Sequence, residues 1–359
     1  MDEETEFAGA IESTAPYAVA DLLPWQVAPL RAMLAQRERW HHGTLLHGPA
    51  GSGSRRLALH LAQGLLCRNP AQGLACGTCD ACHLFRTGGH PDFRLVQREY
   101  DDKNTRTGEP RRRDLIIIDQ LRALIDGFIY LTSHLQGAKV LMFYLAEEMN
   151  RATANALLKS LEEPPPATYF LLVSHQVRLL PPTILSRCRK VPSPQPTVAE
   201  AAAWLMGQGA KQSELVLAQA GGAPLKAMAM QGDDYQGERV RFLERLAEPR
   251  RLSVIGLGAE LDAAARAQKK ARLVTWLDLL ATWSDDLAAC ASGLSPRYHP
   301  DFSAPLARLA TTVAPRGILR YHRTLLRDRG LLAHPLNPRL VAENALFGYR
   351  QAVLGEIAP

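Results

Sequence analysis

The N-terminal half of the chain alternates short apolar runs with stretches of helical periodicity. Four runs have the length of buried strands, and they cover residues 44–47, 92–96, 139–144 and 169–174. Each is followed by a helical pattern, first at Leu57, Leu61 and Leu65 and then over residues 116–130, 150–163 and 183–186. Strands that alternate with helices indicate βαβ units and a mostly parallel sheet with both faces covered. We therefore predict an α/β domain of the nucleotide-binding type.

Strand patterns stop after residue 191. A segment with three prolines over residues 192–196 excludes helix, and a helical pattern over 198–206 follows it. Gly221 and Gly222 mark a second break. Beyond it, one helical stripe of large apolar side chains is formed by Leu273, Trp276, Leu277, Leu280, Trp283 and Leu287. We predict an α/β domain, then a small helical piece, then an all-helical C-terminal domain.

Length and composition narrow the class of protein. The 359 residues are 47% hydrophobic and 22% charged, which is enough for two or three domains with packed cores. Disorder over most of the chain is excluded. The apolar runs are far shorter than the roughly 20 residues that a bilayer crossing needs, so we expect no membrane contact.

The net charge of +6 hides a strong asymmetry. Residues 1–30 contain six acids and no Lys or Arg, so the rest of the chain carries +12. Residues 1–20 are acidic and aperiodic, and we predict a flexible extension there. This start has neither basic residues nor an apolar core, so it does not resemble a secretory signal, and we expect the cytoplasm. The loop over 98–114 holds six basic residues and five acids, which favours a solvated loop over a DNA contact.

A glycine-rich segment follows the first strand. In an active phosphate loop, G-x-x-x-x-G-K-[ST], backbone amides cradle the phosphates, Lys reaches the β and γ oxygens, and the hydroxyl holds Mg²⁺. Gly48, Gly51 and Gly53 keep the glycine-rich frame, but Ser54 replaces the Lys and Arg55 replaces the Ser or Thr. Both working side chains of the loop are therefore missing.

The magnesium-binding part of an ATPase site is altered as well. The strand over 139–144 continues with Leu145 and Ala146 where an Asp-Glu pair is expected. Two independent losses in one site favour a nucleotide-binding fold that no longer hydrolyses nucleotide, with no productive ATP binding in this chain. The alternative is a glycine turn in an unrelated α/β protein.

Four cysteines with short spacing follow the first helix of the α/β domain. They are Cys67, Cys76, Cys79 and Cys82. Two-residue gaps give tight turns that aim successive sulfurs at one ion, and four thiolates close a tetrahedral zinc site. Four protein ligands leave no open position, so the predicted zinc is structural. Disulfides are the alternative, but the expected compartment and the partnerless Cys188 and Cys290 speak against them.

Arg187 lies between Ser186 and Cys188, after a proline-flanked helix and before the last strand. An arginine that projects from a domain edge can stabilise charge on a phosphoryl group held by a neighbouring subunit. A lone arginine is weak evidence, so this role depends on its context.

That context is a resemblance. The altered loop, the four cysteines, residues 154–165 and Ser186-Arg187-Cys188 occur in the order that resembles the delta-prime subunit family of bacterial DNA polymerase III clamp loaders, which are AAA+ proteins. The resemblance covers most of the chain from about residue 22. It is strongest over 44–191 and weak in the C-terminal domain.

The resemblance implies an architecture and a set of partners. It implies an AAA+ α/β domain over 21–191 with a zinc module at 67–82, a small helical lid over 192–235 and a helical collar over 236–359 for oligomerisation. Relatives join delta and gamma/tau subunits in a hetero-pentamer of the DNA-directed DNA polymerase holoenzyme, a nucleotidyltransferase complex. That pentamer uses ATP to open the sliding clamp and place it on primed DNA.

The resemblance also assigns roles to residues. Arg187 would be an arginine finger that reaches the ATP of the adjacent subunit, and the four cysteines would hold zinc. Ser54 and Arg55 match the family's own departure from an active loop. Two alternatives stay open, namely an active clamp-loader ATPase of the gamma/tau type and a zinc-module nucleic-acid binder unrelated to clamp loading.

Overall fold

A computed structural model describes residues 19–98, 100–101, 111–112, 115–330 and 336–355. The predicted acidic extension and most of the 98–114 loop lie outside these residues. The chain divides into two compact units, residues 1–200 and residues 201–359. The further division of the second unit into a lid and a collar stays a prediction.

The first unit is an α/β domain. Its strands are β1 Gly43–His47, β2 Phe93–Val96, β3 Tyr100–Asp101, β4 Arg111–Arg112, β5 Lys139–Tyr144, β6 Thr168–Ser174 and β7 Arg189–Pro192. Its helices are α1 Pro24–Leu34, α2 Ser54–Leu66, α3 Asp80–Arg86, α4 Ile118–Leu124, α5 Arg151–Glu162 and α6 Pro182–Leu185. The next helix, α7 Val198–Gly207, begins at the end of this unit.

Five strands form a parallel sheet in the order β2-β5-β6-β1-β7. The strands β5 and β6 are buried almost throughout, because helices and loops cover both faces of the sheet. The strand β1 lies between β6 and β7, so the glycine-rich loop that follows it leaves the carboxyl edge of the sheet. The parallel sheet and its four predicted strands are confirmed.

The predicted helix over 116–130 changes character partway. It is α-helical as α4 and continues as a π-helix over Ile125–Ile129. The buried Lys139 ammonium explains the end of this helix, since it donates to the carbonyls of Phe128, Ile129 and Leu131. Those carbonyls lack helical partners at a C-terminus, and a cation is favourable there.

The second unit is helical throughout its described residues. Its helices are α8 Ser213–Gln219, α9 Pro224–Met230, α10 Asp233–Leu246, α11 Val254–Ala263, α12 Arg266–Ala291, α13 Ser303–Ala310, α14 Pro315–Gly330 and α15 Pro338–Leu354. The all-helical C-terminal part is therefore confirmed, and α12 carries the predicted Leu and Trp stripe into the core. Across the described residues, no helix is long and apolar enough to span a membrane.

A buried polar network holds a loop of the second unit on α12. The Asp286 carboxylate accepts hydrogen bonds from the backbone amides of Arg297, Tyr298 and His299. Arg239 donates to His299 Nδ1 at 2.9 Å and pairs with Asp301 at 2.8 Å. Each buried charge thus has a partner, as a low-dielectric interior requires.

Candidate functional site

The phosphate-type loop joins β1 to α2 at the carboxyl edge of the sheet. Gly51 and Gly53 adopt positive φ angles of 75° and 90°, which side chains other than glycine rarely accept. Ser52, Gly53 and Ser54 are buried, and the hydroxyls of Ser52 and Ser54 lie 3.1 Å apart. Strand, loop and helix therefore keep the form of a phosphate loop.

Side chains from the start of α1 fill the space beside this loop. Gln26 donates a hydrogen bond from Nε2 to the carbonyl of Gly53 at 3.0 Å. A Cβ atom on Gly53 would lie only 2.4 Å from Leu23 Cδ1. On the other side, a Cβ on Gly48 would lie 2.9 Å from Ser193 Cβ. The loop is packed against its own chain on two sides.

An arginine and a tyrosine meet where a phosphate-loop enzyme binds magnesium. In such enzymes the Ser or Thr of the loop and an acid at the end of another strand of the sheet hold the ion. Here Arg55 stands at the Ser/Thr position, and its guanidinium carbon lies 5.3 Å from the ring centroid of Tyr144, the last residue of β5. Leu145 follows with φ of 58° and is buried. A cation–π contact therefore occupies this position.

Arg187 follows α6 and is one-third exposed. Its guanidinium donates to the carbonyl of Thr183 at 3.0 Å and to the hydroxyl of Ser186 at 3.2 Å. It also pairs with the carboxylate of Glu162, the last residue of α5. The side-chain exposures of Arg187 and Glu162 are 33% and 49%, so the ion pair is open to solvent. The structure shows what holds Arg187 within this chain, and its role toward a neighbouring subunit stays a prediction.

The four predicted cysteines converge on one point. All four Sγ atoms lie within 4.8 Å of one another. The sulfur of Cys67 lies 3.6 Å from that of Cys76 and 4.0 Å from that of Cys79, and Cys76 and Cys82 are 4.0 Å apart. Sulfurs at about 2.3 Å from one tetrahedral ion are separated by about 3.8 Å. These distances exceed a disulfide bond of about 2.05 Å, and the cluster could hold a metal ion.

Backbone amides turn toward the sulfurs of this cluster. The amide of Cys76 donates to Cys67 Sγ, and that of Cys79 donates to Cys76 Sγ, each at 3.3 Å. Hydrogen bonds from the amides of Thr78 and Cys79 lower the pKa of Cys76 to about 6. Burial raises the pKa of Cys82 instead. Amide donors stabilise thiolates, the form in which cysteine binds metals.

Cys188 behaves as a packing residue. It is buried beside β7, and burial raises its pKa to about 11. A thiol with a raised pKa is a poor nucleophile at neutral pH. Its predicted structural role agrees with this position.

Three features of the site were absent from the sequence prediction. They are the contact of Arg55 with Tyr144, the hydrogen bond of Gln26 to the loop and the ion pair of Glu162 with Arg187. The residues of the first two contacts are 89 and 27 positions apart in the chain, so no local sequence pattern predicts these contacts. The third could have been suspected from an acid at the end of the 150–163 helix.

Fold and loop together define the class of protein. The first unit is a parallel α/β domain that carries a four-cysteine module. Its phosphate-type loop has Ser54 in place of the Lys and Arg55 in place of the Ser or Thr. The family model described as "DNA polymerase III, delta subunit" matches residues 26–196. The chain belongs to the family of DNA polymerase III subunit delta'.

The relatives show how far this membership extends. The subunit delta' of Escherichia coli K12 is 31% identical over 301 residues, which cover 81% of this chain and 84% of that protein. The subunit delta' of Pseudomonas aeruginosa is 42% identical over 63% of this chain and 66% of its own length. The match to the Yersinia pestis subunit spans 63% of that protein, so slightly less than two thirds of these two relatives is covered.

Two more distant matches are to a tau subunit and to a gamma subunit-related protein of DNA polymerase III. The subunit tau of Escherichia coli is 35% identical over 150 residues, which cover 42% of this chain and 21% of that protein. A solved DNA polymerase III gamma subunit-related protein from Thermotoga maritima is 18% identical with a TM-score of 0.44, over 91% of this chain and 99% of its own.

Proposed function

We propose that this chain is the non-hydrolysing delta-prime subunit of a DNA polymerase III clamp loader. In this proposal it joins delta and gamma/tau subunits in a cytoplasmic hetero-pentamer that loads the sliding clamp onto primed DNA. Its first unit would be an AAA+ domain, and its helical second unit would supply the lid and the collar. Membership of the delta' family supports the proposal.

The contact of Arg55 with Tyr144 carries the non-hydrolysing part of the proposal. A magnesium ion in this position would face the guanidinium of Arg55 and the ring of Tyr144 in place of the loop hydroxyl and the strand carboxylate that bind it in active enzymes. Phosphate binding would also lack the loop lysine, because Ser54 is buried in its place. Both observations predict that the isolated chain does not turn over ATP.

Arg187 is the residue proposed to act in trans. Both side chains of its ion pair with Glu162 are partly exposed to solvent. Exposed ion pairs contribute only about 0–1 kcal/mol to stability. A neighbouring subunit's phosphate can therefore replace Glu162 at little cost. The guanidinium would then stabilise charge that develops during phosphoryl transfer.

The experiment is ATP turnover and clamp loading by a reconstituted loader that contains this chain. We expect Arg187→Ala to reduce hydrolysis at the adjacent site about 10³-fold or more, the usual contribution of an arginine finger. Arg187→Lys should recover little, because lysine lacks the planar fork of donors. Glu162→Gln should keep activity, because this carboxylate only holds the resting side chain.

A matched control separates the finger from a general loss of charge. Arg151→Ala removes an exposed arginine at the start of α5 and should leave turnover unchanged. Full activity of Arg187→Ala in the assembled loader would remove the basis of the finger assignment. ATP hydrolysis by the purified chain with Mg²⁺ would instead support the alternative of an active gamma/tau-type ATPase.

The four-cysteine cluster would hold zinc in a structural role. Its donor set and its sulfur separations match tetrahedral four-thiolate coordination, which zinc favours among divalent ions. A bound ion would tie the end of α2 to the start of α3. Cys67, Cys76, Cys79 and Cys82 would all serve as ligands, so the ion offers no position for a substrate.

A further inference from the structure

The outward face of α14 carries a row of arginines. The helix contains five, and one of them, Arg329, pairs with Asp278 of α12 at 2.9 Å. The other four are exposed and are spaced by 4, 3 and 4 positions, namely Arg316, Arg320, Arg323 and Arg327. At 3.6 residues per turn they fall within an arc of about 60°. These four residues are the α14 arginine face.

Among the described residues, one of the four arginines of this face lies beside an acid. Within the part of the chain that the structure describes, Arg316, Arg320 and Arg323 form neither an ion pair nor a side-chain hydrogen bond. Arg327 lies 3.7 Å from the carboxylate of Asp328 and keeps 74% of its side chain exposed. Asp328 is the single acid of α14, so the helix carries a net charge of +4.

The opposite face of α14 is fixed in the core. Ile318, Tyr321 and Leu325 are buried, and the Tyr321 hydroxyl donates to the carbonyl of Ala345 at 2.9 Å. Only Leu319 and Leu326 add apolar surface outside, and they are 45% and 47% exposed. A helix that binds a membrane surface must place a continuous apolar face in the lipid. That face is already used here, which disfavours a membrane as the partner.

We propose that the α14 arginine face binds the sugar-phosphate backbone of DNA. The four positions span about 16 Å at 1.5 Å per residue, and duplex DNA presents about five phosphates of one strand over that length of its axis. Guanidinium groups bind phosphate oxygens in a bidentate manner, and they read no base from this geometry. The face therefore contributes affinity without sequence preference, on either single-stranded or duplex DNA. Binding of DNA by this face requires neither ATP nor Arg187.

The test measures DNA binding by the full-length chain. Fluorescent oligonucleotides of about 30 nucleotides, single-stranded or duplex, are titrated at about 50 to 200 mM salt and followed by anisotropy. We expect Arg320→Gln combined with Arg323→Gln to weaken binding about tenfold or more. The slope of log K against log salt should fall by about 1.8 on duplex and about 1.4 on single strands, because two phosphate contacts are lost.

The control removes the same charge elsewhere in the second unit. Arg250 and Arg251 are exposed in the turn before α11, and changing both to Gln should leave affinity nearly unchanged. Equal losses in the two double variants would show a non-specific effect of net charge and overturn the proposal. No binding of the wild-type chain at about 50 mM salt and about 100 μM protein would overturn it as well.

Two further binding measurements test whether this face has a different partner. Loss of binding to phosphatidylserine vesicles with unchanged DNA binding would assign the face to lipid. Loss of co-purification with loader subunits with unchanged DNA binding would assign it to a protein interface. Either result would replace the present proposal. The variant Arg187→Ala should bind DNA like the wild type, so this test and the ATPase test fail independently.

Discussion

Replacing Tyr349 by Phe should destabilise the helical unit by about 2–6 kcal/mol. Tyr349 is fully buried on α15, and its hydroxyl joins two elements. It accepts from Trp283 Nε1 at 2.9 Å and donates to the carbonyl of Leu246 at 2.7 Å. Leu246 is the last residue of α10, where carbonyls lack helical donors. Two buried groups thus lose their partner, and each costs about 1–3 kcal/mol.

Tyr321→Phe provides a matched control for this prediction. The Tyr321 hydroxyl is also buried, and it donates to the carbonyl of Ala345 in the middle of α15. That carbonyl faces the amide four residues later in the helix, so deletion of the hydroxyl leaves no unpaired acceptor. We expect a cost of about 1 kcal/mol or less.

Scanning calorimetry and urea denaturation measure both variants. The second unit comprises residues 201–359, and for a domain of this size about 1 kcal/mol shifts Tm by about 2–4 °C. Tyr349→Phe should therefore lower the Tm of the unit by about 4–24 °C. Equal losses in the two variants, or a larger loss in Tyr321→Phe, would refute the reasoning that unpaired partners set the cost.

Two other predictions concern protons and metal. Burial and the neighbouring Arg239 lower the pKa of His299 from 6.5 to about 3. As the pH falls, the imidazole is therefore protonated in the unfolded chain before it is protonated in the folded chain. The free energy of unfolding should then decrease below about pH 6.5. The loss should reach about 2–3 kcal/mol at pH 4.5 in urea titrations, and a His299→Gln variant with the same pH dependence would contradict it. The wild-type chain should contain about one zinc by metal analysis, and Cys82→Ser should lose it while Cys290→Ser keeps it. Metal retained by Cys82→Ser, or freely titratable thiols in all four wild-type cysteines, would contradict the site.

The sequence was sufficient for the sheet and for the cysteine cluster. Buried parallel strands require nearly continuous apolar runs, so their pattern is visible without any knowledge of contacts. The strand β5 was predicted with the bounds that the structure gives, Lys139–Tyr144. Thiolate spacing is equally informative, because two-residue gaps constrain the turn between ligands. Both predictions depend on features that lie close together in the chain.

Contacts between distant segments could not be predicted in this way. The altered loop was visible from Ser54 and Arg55, but the partner of Arg55 on β5 was not. The short helix α3 inside the cysteine module was also missed, since seven residues offer too little periodicity. The π-helical end of α4 depends on Lys139, which belongs to another element. Such features follow from the packed fold rather than from local pattern.

The pair of Arg55 and Tyr144 has a consequence for nucleotide response. Phosphate-loop domains commonly gain positive charge at this point only when magnesium arrives with nucleotide, and they lose it on release. Here a covalently attached cation stands at that point permanently. A ligand can shift an equilibrium only through differential affinity for two states. In the proposed function, a nucleotide would therefore find no magnesium position here through which to favour one state of the first unit over another.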